Sequence, residues 1–376
     1  VAPSELWRRT MSTIEFAPVV DRDGAIVVMM ASGDAVKVSA DGKEVWRTHL
    51  SGGGPSGPPV ILSDGTYGVV TTGGTFVGLS PAGHVRFVAQ LGARGPDLMA
   101  APLATDDGGA VILAGRSFLT LDADGTITSE TLLPARASST PVALSRGWIV
   151  VGDDGSVSRV LPPKQPTRLG AFEGPVDGGV VLADDRTLLA VMHDRLLALD
   201  LKTGLVSVRA SVVATSSIGG PVTVDEEGAA TYTTSDGAIV GVDGAGDELF
   251  KATVERVIPT ATYPGGYPGG YPGGYPQPPT YYPPGGYGYG YARPDPPIVS
   301  DGSGHFVFLR AGGRLGTVEL VESPAAPDAA DASPLVRARV NVITEHACVT
   351  PISVAPAGPK RIAVACREGI IAVYAE

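Results

Sequence analysis

No stretch of eighteen apolar residues occurs in the 376-residue chain, so no helical span of a membrane is expected. Basic residues are few, 28 against 39 acidic, and they are dispersed along the chain. The resulting net charge of −11 argues against nucleic acid and against docking on anionic lipid, and fits solubility. The five histidines, His49, His84, His193, His305 and His346, stand alone with no second ligand at metal spacing. No Gly-x-Ser-x-Gly elbow is present, and no phosphate loop precedes a helix. No basic-then-apolar leader precedes the first strand, and the first residue is Val. The numbered chain is therefore expected to be a processed form whose signal peptide has gone.

What the chain has in abundance is turn residues. Fifty-one Gly and 33 Pro, spread through Val-rich runs, are too many for a helical protein and indicate many short strands. Residues 16–50 show the pattern: apolar or alternating runs separated by DRDG, SGD and DGK read as a four-stranded antiparallel meander. Its opening motif, Pro, a short apolar strand and an acidic or Gly turn, recurs at 17–24, 58–65, 101–108, 140–147, 174–185, 220–228, 296–304 and 350–358. Successive motif prolines lie 41, 43, 39, 34, 46, 76 and 54 residues apart. Without the inserts inside the last two intervals, each unit approaches the roughly 40–50 residues of a four-stranded propeller blade.

The unit's end repeats as well. Gly42, Gly83, Gly204 and Gly246 are followed four residues later by Trp46, Phe87, Val208 and Phe250, placed to pack between neighbouring blades. The fourth unit departs from this, with LPPKQP in place of the usual turn. The eighth copy stops after its third strand, GIIAVYAE, while SELWRRT at 4–10 matches KEVWRTH at 43–49. Trp7 thus falls where Trp46 falls. The expected fold is all-β: an eight-bladed β-propeller of four-stranded antiparallel blades, closed by the N-terminal strand completing the last blade. It is read as a single domain over 1–376.

The blade pattern, with LLALDLKTG at 196–204 as its best instance, resembles the repeat of pyrroloquinoline-quinone (PQQ)-like propellers, in their non-enzymatic, BamB-like branch. The resemblance covers the chain outside 260–295. It implies a protein-binding scaffold of a bacterial envelope. Quinone-dependent members of the superfamily imply a calcium-bound quinone, a catalytic Asp and an adjacent Cys pair, and none of these can be placed here. No enzymatic activity, cofactor or metal is therefore expected. The acidic turns at 21–24, 122–125 and 225–228 lack the spacing of a calcium loop and read as turn chemistry.

Two departures from the repeat carry the functional expectations. Cys348 and Cys366 flank a hairpin turn near Ala357-Gly358 and could face each other across the last blade's first two strands. They read as a disulfide in an oxidising compartment, or as two buried thiols. Between blades six and seven, 260–295 is a low-complexity insertion. It holds nine of the twelve tyrosines: Tyr263, Tyr267, Tyr271, Tyr275, Tyr281, Tyr282, Tyr287, Tyr289 and Tyr291. Its Pro-Gly-Gly repeats exclude helix and regular sheet, leaving a disordered loop or an interaction arm beside the channel mouth. The leading expectation is an extracytoplasmic scaffold that binds other proteins, in an envelope or surface complex or by self-association, with this arm as a contact. The alternative is glycan or small-molecule binding under a Tyr-rich lid. A lipid anchor upstream of Val1 is compatible with either.

Overall fold

The computed structural model describes residues 5–92, 101–213, 216–225, 228–254, 299–300, 305–310, 314–323, 335–344, 347–348, 350–358 and 360–375. Blade one shows how the repeat forms. A two-residue inner strand β2 (Val19–Val20) turns through Asp21-Arg22-Asp23-Gly24 into β3 (Ile26–Met29), all four of whose residues are buried. The Asp21 carboxylate accepts the N–H groups of Asp23 and Ala25, and Gly24 takes φ 74° to close the turn. β4 (Asp34–Val38) and β5 (Glu44–His49) follow, and exposure rises outward until β5 alternates between exposed and half-buried.

Among the described residues the plan repeats to give thirty-two strands, β1 to β32 in chain order, in eight four-stranded antiparallel sheets. Within the first seven sheets spatial order follows chain order. In the eighth the order is β1–β32–β31–β30. There β1 (Glu5–Thr10) pairs antiparallel with β32 (Ile370–Ala375), from Glu5 opposite Tyr374 to Thr10 opposite Ile370. The first strand of the chain is thus the outer strand of the last blade, and the protein is an eight-bladed propeller closed as the sequence predicts.

The core lies between blades. One cluster joins Leu62, Val70, Phe76 and Leu91 of blade two to Ile112, Leu119 and Leu121 of blade three. Another joins Ile26 and Val28 of blade one to Ile371 and Val373 of blade eight. Each sheet is therefore a layer whose two faces are covered by its neighbours, which is why second and third strands read as continuous apolar runs.

Two expectations need correction. Cys366, at the end of β31 (Arg361–Cys366), lies opposite Pro351, the first residue of β30 (Pro351–Pro356), so Cys348 is in the loop before the strand. The hairpin turn is centred beyond Ala357-Gly358, with Ala357 N–H donating to the Arg361 carbonyl, and this shifts the register by three positions. In blade five, Val208 does not pack between blades. It is exposed, and its neighbour Arg209 turns inward instead. In blades one, two, three, six and eight the β-bulge of the outer strand sits near its start, as at Val45. In β21 (Val206–Ser211) it sits at Arg209, opposite Leu196 and Leu197 of β20 (Arg195–Asp200), after a turn that Asp200 and Leu205 close with one residue more than the Ser39–Lys43 turn.

Candidate interaction surface

Successive strands of a blade run oppositely, so loops from each outer strand to the next inner strand share one side of the ring with the turns between second and third strands. This upper side is where inner strands begin. Strand β25 (Glu248–Thr253) ends there and β26 (Val299–Ser300) begins there. The Tyr-rich insertion, with all nine of its tyrosines, lies outside the described residues, and so does most of the Pro- and Ala-rich stretch 323–334 that lengthens the last interval. The point of departure is described and is well fastened. The Gly237 carbonyl accepts the Val254 N–H at 3.0 Å and the Arg310 guanidinium at 2.7 Å. Phe250, Ala252 and Val254 pack on Phe306 and Phe308 of blade seven, the Phe250 and Phe306 rings 5.4 Å apart.

The upper side also carries the cysteine pair. Cys348 and Cys366 are joined, with Cα atoms 6.0 Å apart, and both are buried among Leu309, Leu315, Val364 and Tyr374. The carbonyl of the neighbouring Ala347 accepts Arg8 of β1 at 3.1 Å. The bond therefore holds the loop against which the closing strand leans.

That strand is held from both faces. Towards blade one, the Trp7 ring covers Gly42 and its Nε1 donates to the Ala40 carbonyl at 2.9 Å. Arg9 pairs with Glu44 at 2.9 Å. A Cβ on Gly42 would meet the ring at 2.9 Å, and its φ of 84° also favours Gly. Trp46 repeats the arrangement on blade two, covering Gly83 and donating to the Pro81 carbonyl at 2.9 Å, and Phe87 covers Gly125 of blade three. The Gly-x-x-x-aromatic spacing in the sequence is thus a relay: each of these outer aromatics covers the turn Gly of the next blade. Towards blade seven, Arg8 bonds Glu5 and the Tyr374 hydroxyl besides Ala347. Burial is the main reason the Tyr374 phenol is pushed up to about 12.

One ion pair within blade one, joined to blade two through a Tyr hydroxyl, has no sequence signal beyond a Lys inside an apolar strand. Lys37 meets Asp21 at 2.7 Å, and the Tyr67 hydroxyl of blade two accepts from Lys37 and donates to Asp21. Burial alone would raise the Asp21 carboxyl, but the bonds from Lys37, Tyr67 and the Ala25 N–H outweigh it and hold it below the usual range. Three further turn carboxylates are held down in the same way. Backbone N–H groups of Thr203 and Lys202 hold Asp200 down, those of Asp247, Ala245 and Gly246 hold Asp243 down, and Asp41 falls to about 2 beside Lys43 and Ser39. Their oxygens are engaged in turn closure. Since these folded values lie below the unfolded carboxylate value of about 3.9, the stability they contribute is complete above that pH and is lost as pH falls through the folded values. A urea midpoint that is flat above pH 5 and drops steadily between about pH 4 and 2 is expected; an unchanged midpoint at pH 3 would contradict this account.

On the lower side, a groove of about 250 Å³ opens between blades four and five, lined by Leu144, Leu169 and Leu201 together with Arg159, Arg186 and Lys202. Both arginines are engaged, Arg159 with the Arg146 carbonyl and Arg186 with Asp200. No helix of the described residues is long and apolar enough to cross a membrane.

No family model matches the chain, and no curated protein matches it in sequence. Solved structures do. BamB from Moraxella catarrhalis aligns over 100% of this chain and 98% of its own at 16% identity, TM-score 0.64. The computationally designed Ika8 protein aligns over 99% of both at 10% identity, TM-score 0.67. A catalytically inactive virginiamycin B lyase from Staphylococcus aureus, in a crystal structure with quinupristin, aligns over 98% and 99% at 12% identity, TM-score 0.51. What these likenesses share with the chain is the fold. It is a propeller throughout its described length.

Proposed function

We infer that the protein is a non-catalytic, protein-binding scaffold of an extracytoplasmic envelope or surface assembly, and that the Tyr/Pro/Gly segment is its contact arm. The observation that carries this reading is the arm's base. The strand leading towards the arm ends at Thr253, and the next residue, Val254, is buried against blade seven, its N–H and the Arg310 guanidinium sharing one carbonyl. A segment rich in Tyr offers broad amphipathic contact at low entropic cost, and a rigid base limits the space it searches. The likeness to BamB along the whole chain supports a scaffold role, and the buried cysteine pair supports an oxidising compartment.

Deletion of 262–292 tests the proposal, because it spares the described strands on both sides. Tagged full-length and deleted chains would be purified from envelope fractions of the native source. The expected result is a stoichiometric partner with the full chain, none with the deleted one, and indistinguishable thermal melts. The same partner recovered with both chains would overturn the role given to the arm.

A further inference from the structure

Outer-strand aromatics close two blade junctions on the lower side: Trp46 covers Gly83 between blades one and two, and Phe87 covers Gly125 between blades two and three. Between blades four and five this relay is broken. The turn Gly of blade five, Gly204, faces the carbonyl of Leu169 instead of a ring. Leu169 is on the outer strand of blade four, β17 (Thr167–Ala171), and is half-buried, as are Leu144 and Leu201. The groove of about 250 Å³ lies at this junction, with the three leucines in its lining. Its charge also departs from the rest of the lower side. Turns between first and second strands carry an acid in blades one, two, three, five and six, at Asp23, Asp64, Asp107, Asp185 and Asp225, whereas blade four has Arg146 there. The next lower turn of blade four carries Lys164. With Arg159, Arg186 and Lys202, five cations stand about the groove against three carboxylates, Asp184, Asp185 and Asp200. Asp184 and Asp200 accept N–H groups of their own turns. Arg146, Lys164 and Lys202 have no side-chain partner among the described residues.

We propose that this groove docks an acidic segment of a partner protein, which seats one large apolar side chain among the three leucines and sets its Asp and Glu side chains on the surrounding cations. Size and charge choose the occupant. At about 250 Å³ the groove is smaller than the roughly 300–1,000 Å³ that encloses a free ligand, so it admits a side chain whose backbone stays outside. A cationic spot on a chain of net charge −11 steers anionic groups to itself and away from the remaining surface. A flat anionic membrane would meet the acidic turns of blades three and six at the same time and be repelled, while a narrow segment meets the cations alone. Its carboxylates belong on the blade-four wall, at Arg146, Arg159 and Lys164, because Asp185 stands on the opposite wall. The apolar side chain takes the part of an interface anchor, filling a pocket of the kind that Trp46 and Phe87 fill elsewhere in the ring. The proposal rests on the scaffold reading only in taking the occupant to be a protein, and it does not involve the arm.

Fluorescence anisotropy with short labelled peptides tests it, each peptide made of Asp, Glu and Ser around one central Phe, Leu or Ser. The Phe- and Leu-centred peptides should bind the full chain at least about tenfold more tightly than the Ser-centred one. Arg146→Glu/Lys202→Glu should weaken that binding at least about tenfold. Lys43→Glu, an exposed charge reversal on the lower side of blade one, should leave it unchanged. Matching melting curves establish that the variants are folded, and Lys202→Glu alone serves if the double variant does not fold. The chain lacking 262–292 should bind the peptides as the full chain does, so loss of the arm's partner and loss of this site are separate results. Phe- and Leu-centred peptides that do not bind, a Ser-centred peptide that binds equally well, or an unchanged affinity in the charge-reversed chain overturns the proposal. Capture of anionic phospholipid vesicles in place of the peptides overturns it as well.

Discussion

Replacing Trp7 by Ala is expected to cost about 3 kcal/mol of stability and to strip hydrogen-exchange protection from β32, whereas Trp46→Ala should cost a similar amount and leave its own strand protected. The two rings do the same work on Gly42 and Gly83, and each donates to a carbonyl at 2.9 Å. The difference lies in the chain. β5 is tied to β4 by the Ser39–Lys43 turn, so it stays near its partner when Trp46 is cut back. β1 has no such tether to β32 and is held by its ladder, by Trp7, by the Arg9–Glu44 pair and by Arg8. Removing Trp7 leaves Gly42 uncovered and withdraws the main apolar contact holding β1 to blade one. Denaturant midpoints would measure the cost, and exchange of the Ile370–Ala375 amides that bond to β1 would locate it. Equal protection of β32 in the two variants would show that closure does not depend on Trp7.

The second large effect is expected from the Cys348→Ser/Cys366→Ser double variant, which should lose about 3 kcal/mol. The closed loop spans 18 residues, and a cross-link of that length removes about this much chain entropy from the unfolded state. The loss should appear first in blade eight, because the loop carrying Cys348 also presents the Ala347 carbonyl to Arg8. Both sulfur-bearing residues are buried, so a reductant should have little effect on the folded wild type and should match the double variant only after unfolding. Mass spectrometry of the unreduced, denatured protein checks the premise, since two titratable thiols would remove it.

The repeat and its closure were legible because each blade opens with the same Pro and turn, and because SELWRRT copies KEVWRTH. Those are local patterns, and local patterns survive in one dimension. What the pattern misplaced depended on register or on the neighbouring blade. Counting four residues from Gly204 points to Val208, but a longer turn and a displaced bulge put Arg209 inside. Counting outward from Ala357-Gly358 pairs Cys348 with Cys366 across strands, whereas the turn lies further on and Cys348 precedes its strand. The Asp21–Lys37–Tyr67 bridge is spread over 46 residues and two blades, and its one trace in the sequence is a Lys between Val36 and Val38. The tyrosines were conspicuous in composition, and composition carries no geometry.

Closure of the ring has a consequence for how the molecule comes apart. In a linear repeat array the terminal unit has one neighbour and frays by giving up a single interface. Here every blade has two neighbours, so opening any one of them forfeits two interfaces at once, and the least costly first event is the departure of β1 from blade eight. That event makes a cyclic array linear and creates the frayable ends it lacked. Release of the six residues Glu5 to Thr10 is therefore the event expected to precede the unfolding of the blades.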